Sequence, residues 1–181
     1  MKPFLSLGID PSISGTGVVL LKSADQIAKP YALYEQSITA TPGAVGLQRT
    51  REIVFMLMKL IHEWNPHAIV VEGYSLNTKN VSSIVPLVEL GGLLRVMMML
   101  DGFKWYDPRA SQVKQFATGK GNAPKDKMMM NVLKHWGHES KDNNTADAYV
   151  LAAMGLAAAN RLKGATVDMR MIAGKMERRC N

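Results

Sequence analysis

The chain has 181 residues, enough for one α/β domain with a real core and too few for two large ones. Lys and Arg number 22 against 15 Asp and Glu, a net charge of +7, and the sequence pI is near 9.6. That balance favours a polyanionic partner, nucleic acid before membrane, since no basic amphipathic helix stands out. The one cysteine, Cys180, excludes a disulfide scaffold and a cysteine-based zinc site. The first residues hold too short an apolar run for a signal peptide. No stretch reaches the roughly 18 uncharged apolar residues that a membrane span needs. Residues 81–100 come nearest and are broken by Pro86, Glu89, Gly91, Gly92 and Arg95. A reducing cytoplasm is the expected setting.

Phe4 to Ile9 predicts a buried strand ended by the turn Asp10-Pro11-Ser12. Gly15-Thr16-Gly17 leads into a second strand, Val18 to Lys22, and Tyr31 to Thr39 alternates well enough for a third. Thr50, Val54, Leu57, Ile61 and Trp64 fall on one helical face, and Asn65-Pro66 stops that helix. His67 to Glu72 is short, apolar and β-branched, hence a central strand. Residues 81–100 predict an apolar helix, and Phe103 to Tyr106 another strand closed by Asp107-Pro108. Helices follow at Arg109–Ala117, Lys125–Trp136 and Asn144–Leu162, with the glycine-rich loop Thr118 to Pro124 between the first two. Three leading strands suggest an antiparallel meander, and later strands separated by helices suggest parallel crossovers. The expected fold is a mixed five-stranded α/β sheet with helices on both faces, spanning residues 1–163. A basic tail, 164–181, is expected to be partly mobile.

Three acids sit where acids are costly. Asp10 follows Leu5-Ser6-Leu7-Gly8-Ile9, Glu72 follows Ala68-Ile69-Val70-Val71, and Asp147 lies inside an apolar helix. A carboxylate beside a core neutralises unless it is paired or metal-bound. Two strand-end carboxylates and one from an overlying helix are the kind of oxygen set that holds a divalent cation. Each acid also has a plainer reading. Asp10 can begin an Asx turn. Glu72 can be a solvent-exposed strand end. Asp147 can be an acid in the first turn of a helix capped by Asn144, favourable to its dipole. Taken together, the three favour a site.

In these residues the chain resembles RuvC-type Holliday junction resolvases of the RNase H-like fold, in particular their phage and viral relatives. The matching motifs are Leu7 to Ser12 with Gly15 and Gly17, Ile69 to Glu72, Pro108 through Val113-Lys114 to Thr118–Lys125, and Asn144 to Ala148. The resemblance implies a Mg²⁺-dependent endonuclease that acts as a homodimer on four-way DNA junctions by paired symmetric nicks. It implies two ions about 4 Å apart in each site, one activating water and one stabilising the leaving oxygen. Mn²⁺ is an expected substitute.

Asp10, Glu72 and Asp147 match the family's metal-binding acids. Asn144 matches a further active-site position usually filled by Asp or His. Asparagine can offer a carbonyl oxygen there but cannot act as a base; Asp142 is a second candidate to complete the set. Lys114 and Lys125 match DNA-contacting lysines, and Lys125, at a helix start, suits a phosphate and belongs to the expected catalytic set. Tyr74 stands where the family stacks an aromatic on unpaired bases. Lys104, Arg109, Lys114, Lys120, Lys125 and Lys127 form a backbone track or a solvated helix face. The apolar segment 81–100 is either a dimer patch or core packing. The four histidines fit no metal-ligand pattern. Rival readings are another RNase H-like nuclease acting on flaps, forks or RNA–DNA hybrids, an actin-like or Hsp70-like ATPase, and a DNA-binding module without catalysis.

Overall fold

The computed structural model describes residues 2–23, 29–74, 81–124 and 126–179, and the side chains of 81–83 fall outside that description. Lys125 and Cys180, singled out in the sequence, lie outside the described residues. Strand β1 (Phe4–Asp10) pairs antiparallel with β2 (Thr16–Ser23), which pairs antiparallel with β3 (Tyr31–Ile38). On its other side β1 pairs in parallel with β4 (Ala68–Val71), and β4 with β5 (Trp105–Tyr106). The meander and the parallel crossovers are therefore as the pattern of elements implies.

The sheet has six strands, one more than expected, in the order β3-β2-β1-β4-β5-β6. The extra edge strand, β6 (Arg178–Arg179), runs antiparallel to β5. It is two exposed arginines with no apolar alternation, so only backbone pairing defines it. The segment expected as a tail also folds as helix α6 (Val167–Gly174), capped by the Thr166 hydroxyl, which accepts from the Met169 N–H at 3.2 Å. Met169, Ile172, Ala173 and Met176 are buried in the core, so apolar spacing in this stretch outweighs its basic composition.

The strands divide two cores. Leu7, Ile9, Val18, Leu20, Ile69 and Val71 face helices α1 (Gly46–Trp64) and α2 (Val81–Leu100). Val19, Leu21 and Val70 face α5 (Asn143–Ala158), with α3 (Ala110–Thr118), α4 (Asp126–Trp136) and α6 packed around it. Asn65, at φ 40, ends α1 in the left-handed conformation. Helix α5 stops four residues earlier than apolar content suggests. Asn160, at φ 54, turns the chain, and the Arg161 N–H reaches back to the Leu156 carbonyl at 2.7 Å.

Helix α2 is buried along one face and exposed along another. Leu90, Leu94 and Met98 are fully buried, while Val85, Val88, Leu93, Val96 and Met99 remain exposed.

Candidate active site

Strand β1 carries the centre of the site. Ile9 pairs with Val71, and the Glu72 N–H donates to the Ile9 carbonyl at 3.0 Å, so Glu72 stands level with Asp10 on the adjoining strand. A Cβ on Gly8 would overlap the Ala148 carbonyl of α5, and one on Gly17 would overlap the Asn144 carbonyl. These two glycines let the helix backbone lie directly on the sheet. Asp10 is two residues from Gly8 and is the register partner of Gly17, so it shares their helix-covered face.

Asp10 and Glu72 line one depression together with Tyr74 and Arg95. Asp10 and Asn144 line a neighbouring one with Ser12 and Arg49. Asp147, half buried, follows Asn144 by three residues on the same helix face.

One plainer reading of the acids loses its footing here. Helix α5 begins at Asn143 with Asp142 as its cap, and its first turn holds no acid, so Asp147 is not a first-turn dipole partner. Asp142 accepts from the Thr145 N–H and from the Ser37 hydroxyl, each at 2.7 Å. Burial pushes its pKa up, but the hydrogen bonds from Thr145, Ser37 and Asn144 outweigh this and hold the carboxyl below the ordinary aspartate value. Asp142 is thus engaged as a cap, and Asn144 is the residue of the pair that faces Asp10. At the β1–β2 turn, Thr16 supplies the cross-link: its hydroxyl donates to the Ser12 carbonyl at 2.8 Å.

Among the described residues, no three His, Cys, Asp or Glu side chains form a set that could hold a metal ion by themselves. The donors present are Asp10 and Glu72 at adjacent strand ends, with the Asn144 amide and the Asp147 carboxylate on the helix above. Asp10 shares one depression with Glu72 and a neighbouring one with Asn144; oxygen donors of this kind suit a hard cation that keeps several of its waters, not a closed zinc site.

Arg109, Lys104, Lys120 and Lys127 are exposed and Lys114 is half buried. Among the described residues none of the five takes part in an ion pair. This run of cations begins close to the acids, because the Gly73 N–H donates to the Pro108 carbonyl at 2.8 Å, one residue before Arg109. The glycine-rich loop is more ordered than a solvated linker. Gly119 caps α3 at φ 77, the Thr118 hydroxyl bonds the Lys114 and Lys120 carbonyls, and Ala123 is buried.

Tyr74 is partly exposed, with the Arg95 guanidinium 4.7 Å from its ring centre. In the sequence Arg95 reads only as an interruption of an apolar run. The signal for Arg95 was available: a cation inside an apolar helix must be paired, and Asp107 lay nearby in the chain.

A model of the family described as crossover junction endodeoxyribonuclease RuvC matches residues 6–155. The chain belongs to the RuvC family. The RuvC of Brachyspira hyodysenteriae is 27% identical over 159 residues, covering 87% of this chain and 96% of that protein. The RuvC of Alkaliphilus metalliredigens is 30% identical over 151 residues, covering 81% and 88%. Among solved structures, Thermus thermophilus RuvC superposes with a TM-score of 0.71 at 22% identity, over 88% of this chain and 99% of that one. The same protein in complex with a Holliday junction substrate gives 0.75 at 21% identity, over 97% and 99%. These likenesses establish the RNase H-like fold shared with RuvC. The family match removes the ATPase reading.

Proposed function

We propose that this RuvC-family chain is a metal-dependent endodeoxyribonuclease that resolves four-way DNA junctions. The reaction is hydrolysis of one phosphodiester in each of two strands, by symmetric nicks that leave a 5′-phosphate and a 3′-hydroxyl. The observation that carries this reading is the in-register pair Asp10 and Glu72 on the face covered by the start of α5, in a chain with the family's motifs along most of its length.

Asp10, Glu72, Asp147 and Asn144 are the residues that would hold Mg²⁺, two ions to a site, with Mn²⁺ as a substitute. When bound, such ions activate a water for attack and neutralise charge on the leaving oxygen. The protein's own part is positional. The β1–β4 register sets Asp10 and Glu72 at one level, Gly8 and Gly17 let the α5 backbone lie on the sheet, and Asn144 would offer an amide oxygen without taking a proton. Lys114, Lys120, Lys125 and Arg109 would track the phosphate backbone, and Tyr74 would stack on bases at the crossover. Lys125 also belongs beside the scissile phosphate in this reading.

Two nicks need two sites. The exposed stripe Val85, Val88, Leu93, Val96 and Met99 on α2 supports a homodimer, because an unpartnered apolar stripe of this kind suits a self-complementary interface. Among the described residues no helix is long and apolar enough to cross a membrane. The compartment assigned is the cytoplasm, of a bacterial cell or of a phage-infected host; the phage or viral kinship rests on Asn144.

The deciding experiment offers Mg²⁺ and four substrates: a fixed four-way junction, a duplex, a flap and an RNA–DNA hybrid. Paired symmetric nicks confined to the junction support the proposal. Preferential cutting of flap or hybrid would make this another RNase H-like nuclease, and no cutting of any substrate would leave a DNA-binding module.

A further inference from the structure

We propose that Arg95 is a positioning residue that sets the strand-end Glu72 and the base-stacking Tyr74 as one unit, an inference that rests on the junction-nuclease reading above. Its guanidinium is nearly buried, the side chain being 12% exposed. One terminal nitrogen donates to the Glu72 carbonyl at 3.0 Å and to an Asp107 carboxylate oxygen at 2.7 Å. The other donates to the Gly91 carbonyl at 3.0 Å. The same group lies 4.7 Å from the Tyr74 ring centre. One side chain on α2 thus grips the end of β4, the segment just after β5 and the aromatic two residues beyond Glu72.

The surroundings are shaped for this contact. A Cβ on Gly91 would come within 2.7 Å of both an Arg95 terminal nitrogen and the Tyr74 ring, so the helix surface is cut back where the two meet. Arg95, Tyr74, Glu72 and Asp10 line one depression. The Arg95 Nε is buried without a hydrogen-bond partner among the described residues. A residue kept only for packing would not need to leave a buried donor unmade. Arginine is required by the geometry, because its planar fork reaches several acceptors and stacks on a ring at once; a lysine ammonium is a single point of charge. With Glu72 held through its carbonyl, its carboxylate is restrained in direction, and with Tyr74 held through its ring, stacking on a base is coupled to that direction.

The test compares wild type with Arg95→Lys and Tyr74→Leu on a junction carrying 2-aminopurine at the crossover. Arg95→Lys should raise the Mg²⁺ concentration for half-maximal cleavage, or lower cleavage at saturating Mg²⁺, by about 10- to 100-fold. It should also lose the fluorescence rise of the unstacked base, while metal-free junction binding stays within about twofold of wild type. Tyr74→Leu should lose the fluorescence rise and slow junction cleavage, while the Mg²⁺ concentration for half-maximal cleavage stays that of wild type. If Arg95→Lys keeps both the Mg²⁺ requirement and the fluorescence rise, Arg95 does not position either residue. If it lowers Tm but leaves both readouts unchanged, its role is structural and the proposal fails. Should Arg95→Lys not fold, Asp107→Asn, which keeps an acceptor and removes the ion pair, is expected to move both readouts the same way by a smaller factor; no movement overturns the proposal. Failure of wild type to cut the junction at all would instead overturn the nuclease reading.

Discussion

Gly8 lies so closely beneath the Ala148 carbonyl that a β-carbon there would overlap it. The same is true of Gly17 beneath Asn144. Backbone atoms cannot swing aside as a side-chain tip can, so Gly8→Ala or Gly17→Ala must lift α5 from the sheet. Each is expected to destabilise the fold by about 1–3 kcal/mol, which for a chain of this size lowers Tm by about 2–4 °C per kcal/mol. Both should also lose cleavage out of proportion to the loss of folded protein. Cleavage by Gly8→Ala at the wild-type rate, at a temperature where it is folded, would show that α5 need not touch the sheet so closely.

Asp10→Asn, Glu72→Gln and Asp147→Asn keep size and remove charge. Each should cut junctions at least about 100-fold more slowly, the loss expected when several kcal/mol of metal-borne stabilisation disappears. Junction binding without metal should persist. Asn144→Ala should also slow cleavage, by a smaller factor, because it removes a neutral donor. Undiminished cleavage by Asp147→Asn would remove the helix carboxylate from the site, and single-turnover rates at fixed Mg²⁺ would show it.

The Asp142 cap gives an acid-limb prediction. Its folded pKa lies below the ordinary aspartate value, so the unfolded chain binds the proton more readily. The stability contributed is fully present above the unfolded pKa and is lost as pH falls through the folded one. Asp142→Ala should therefore cost about 0.5–2 kcal/mol near neutrality. The gap from wild type should shrink as pH drops below that of a free aspartate. Tm measured from neutral pH into that acid range would expose a constant gap, which the cap does not allow.

Lys114→Ala and Lys120→Ala should weaken junction binding whatever the base sequence. Each should lower the steepness of log affinity against log salt by about one unit. A slope identical to wild type removes the residue from the phosphate track.

Val88→Glu or Val96→Glu puts charge into the exposed stripe of α2 without touching the buried Leu90, Leu94 and Met98. The expected product is a folded monomer by light scattering. A dimer of wild-type size from both variants would move the interface elsewhere.

Much of the frame was legible in the sequence because its signals are local. β-branched runs ending in Asp10 and Glu72 announce paired strands, and Asn65 before Pro66 announces the end of α1. Register was not legible: that Ile9 faces Val71, and not a neighbour one residue away, follows from the packing of α5 on Gly8 and Gly17. The start of α5 was misjudged because Asn144 and Asp142 are both good caps, and the choice falls to a partner over a hundred residues away, Ser37. The Arg95–Asp107 pair could be read from the chain, but its contacts with Glu72 and Tyr74 join segments the sequence keeps apart. The last helix escaped notice because basic residues mask the spacing of Met169, Ile172 and Met176.

That final stretch has a practical consequence. Residues 167–179 are fastened at both layers, through α6 to the core beneath it and through β6 to the rim of the sheet next to β5. Trimming the protein at residue 163 would not discard an ornament. It would bare a greasy floor and leave Trp105 and Tyr106 as a raw strand margin, an invitation for copies to zip together. Fusions and affinity handles therefore belong beyond residue 179, and versions cut at residue 163 should precipitate before they lose their grip on DNA.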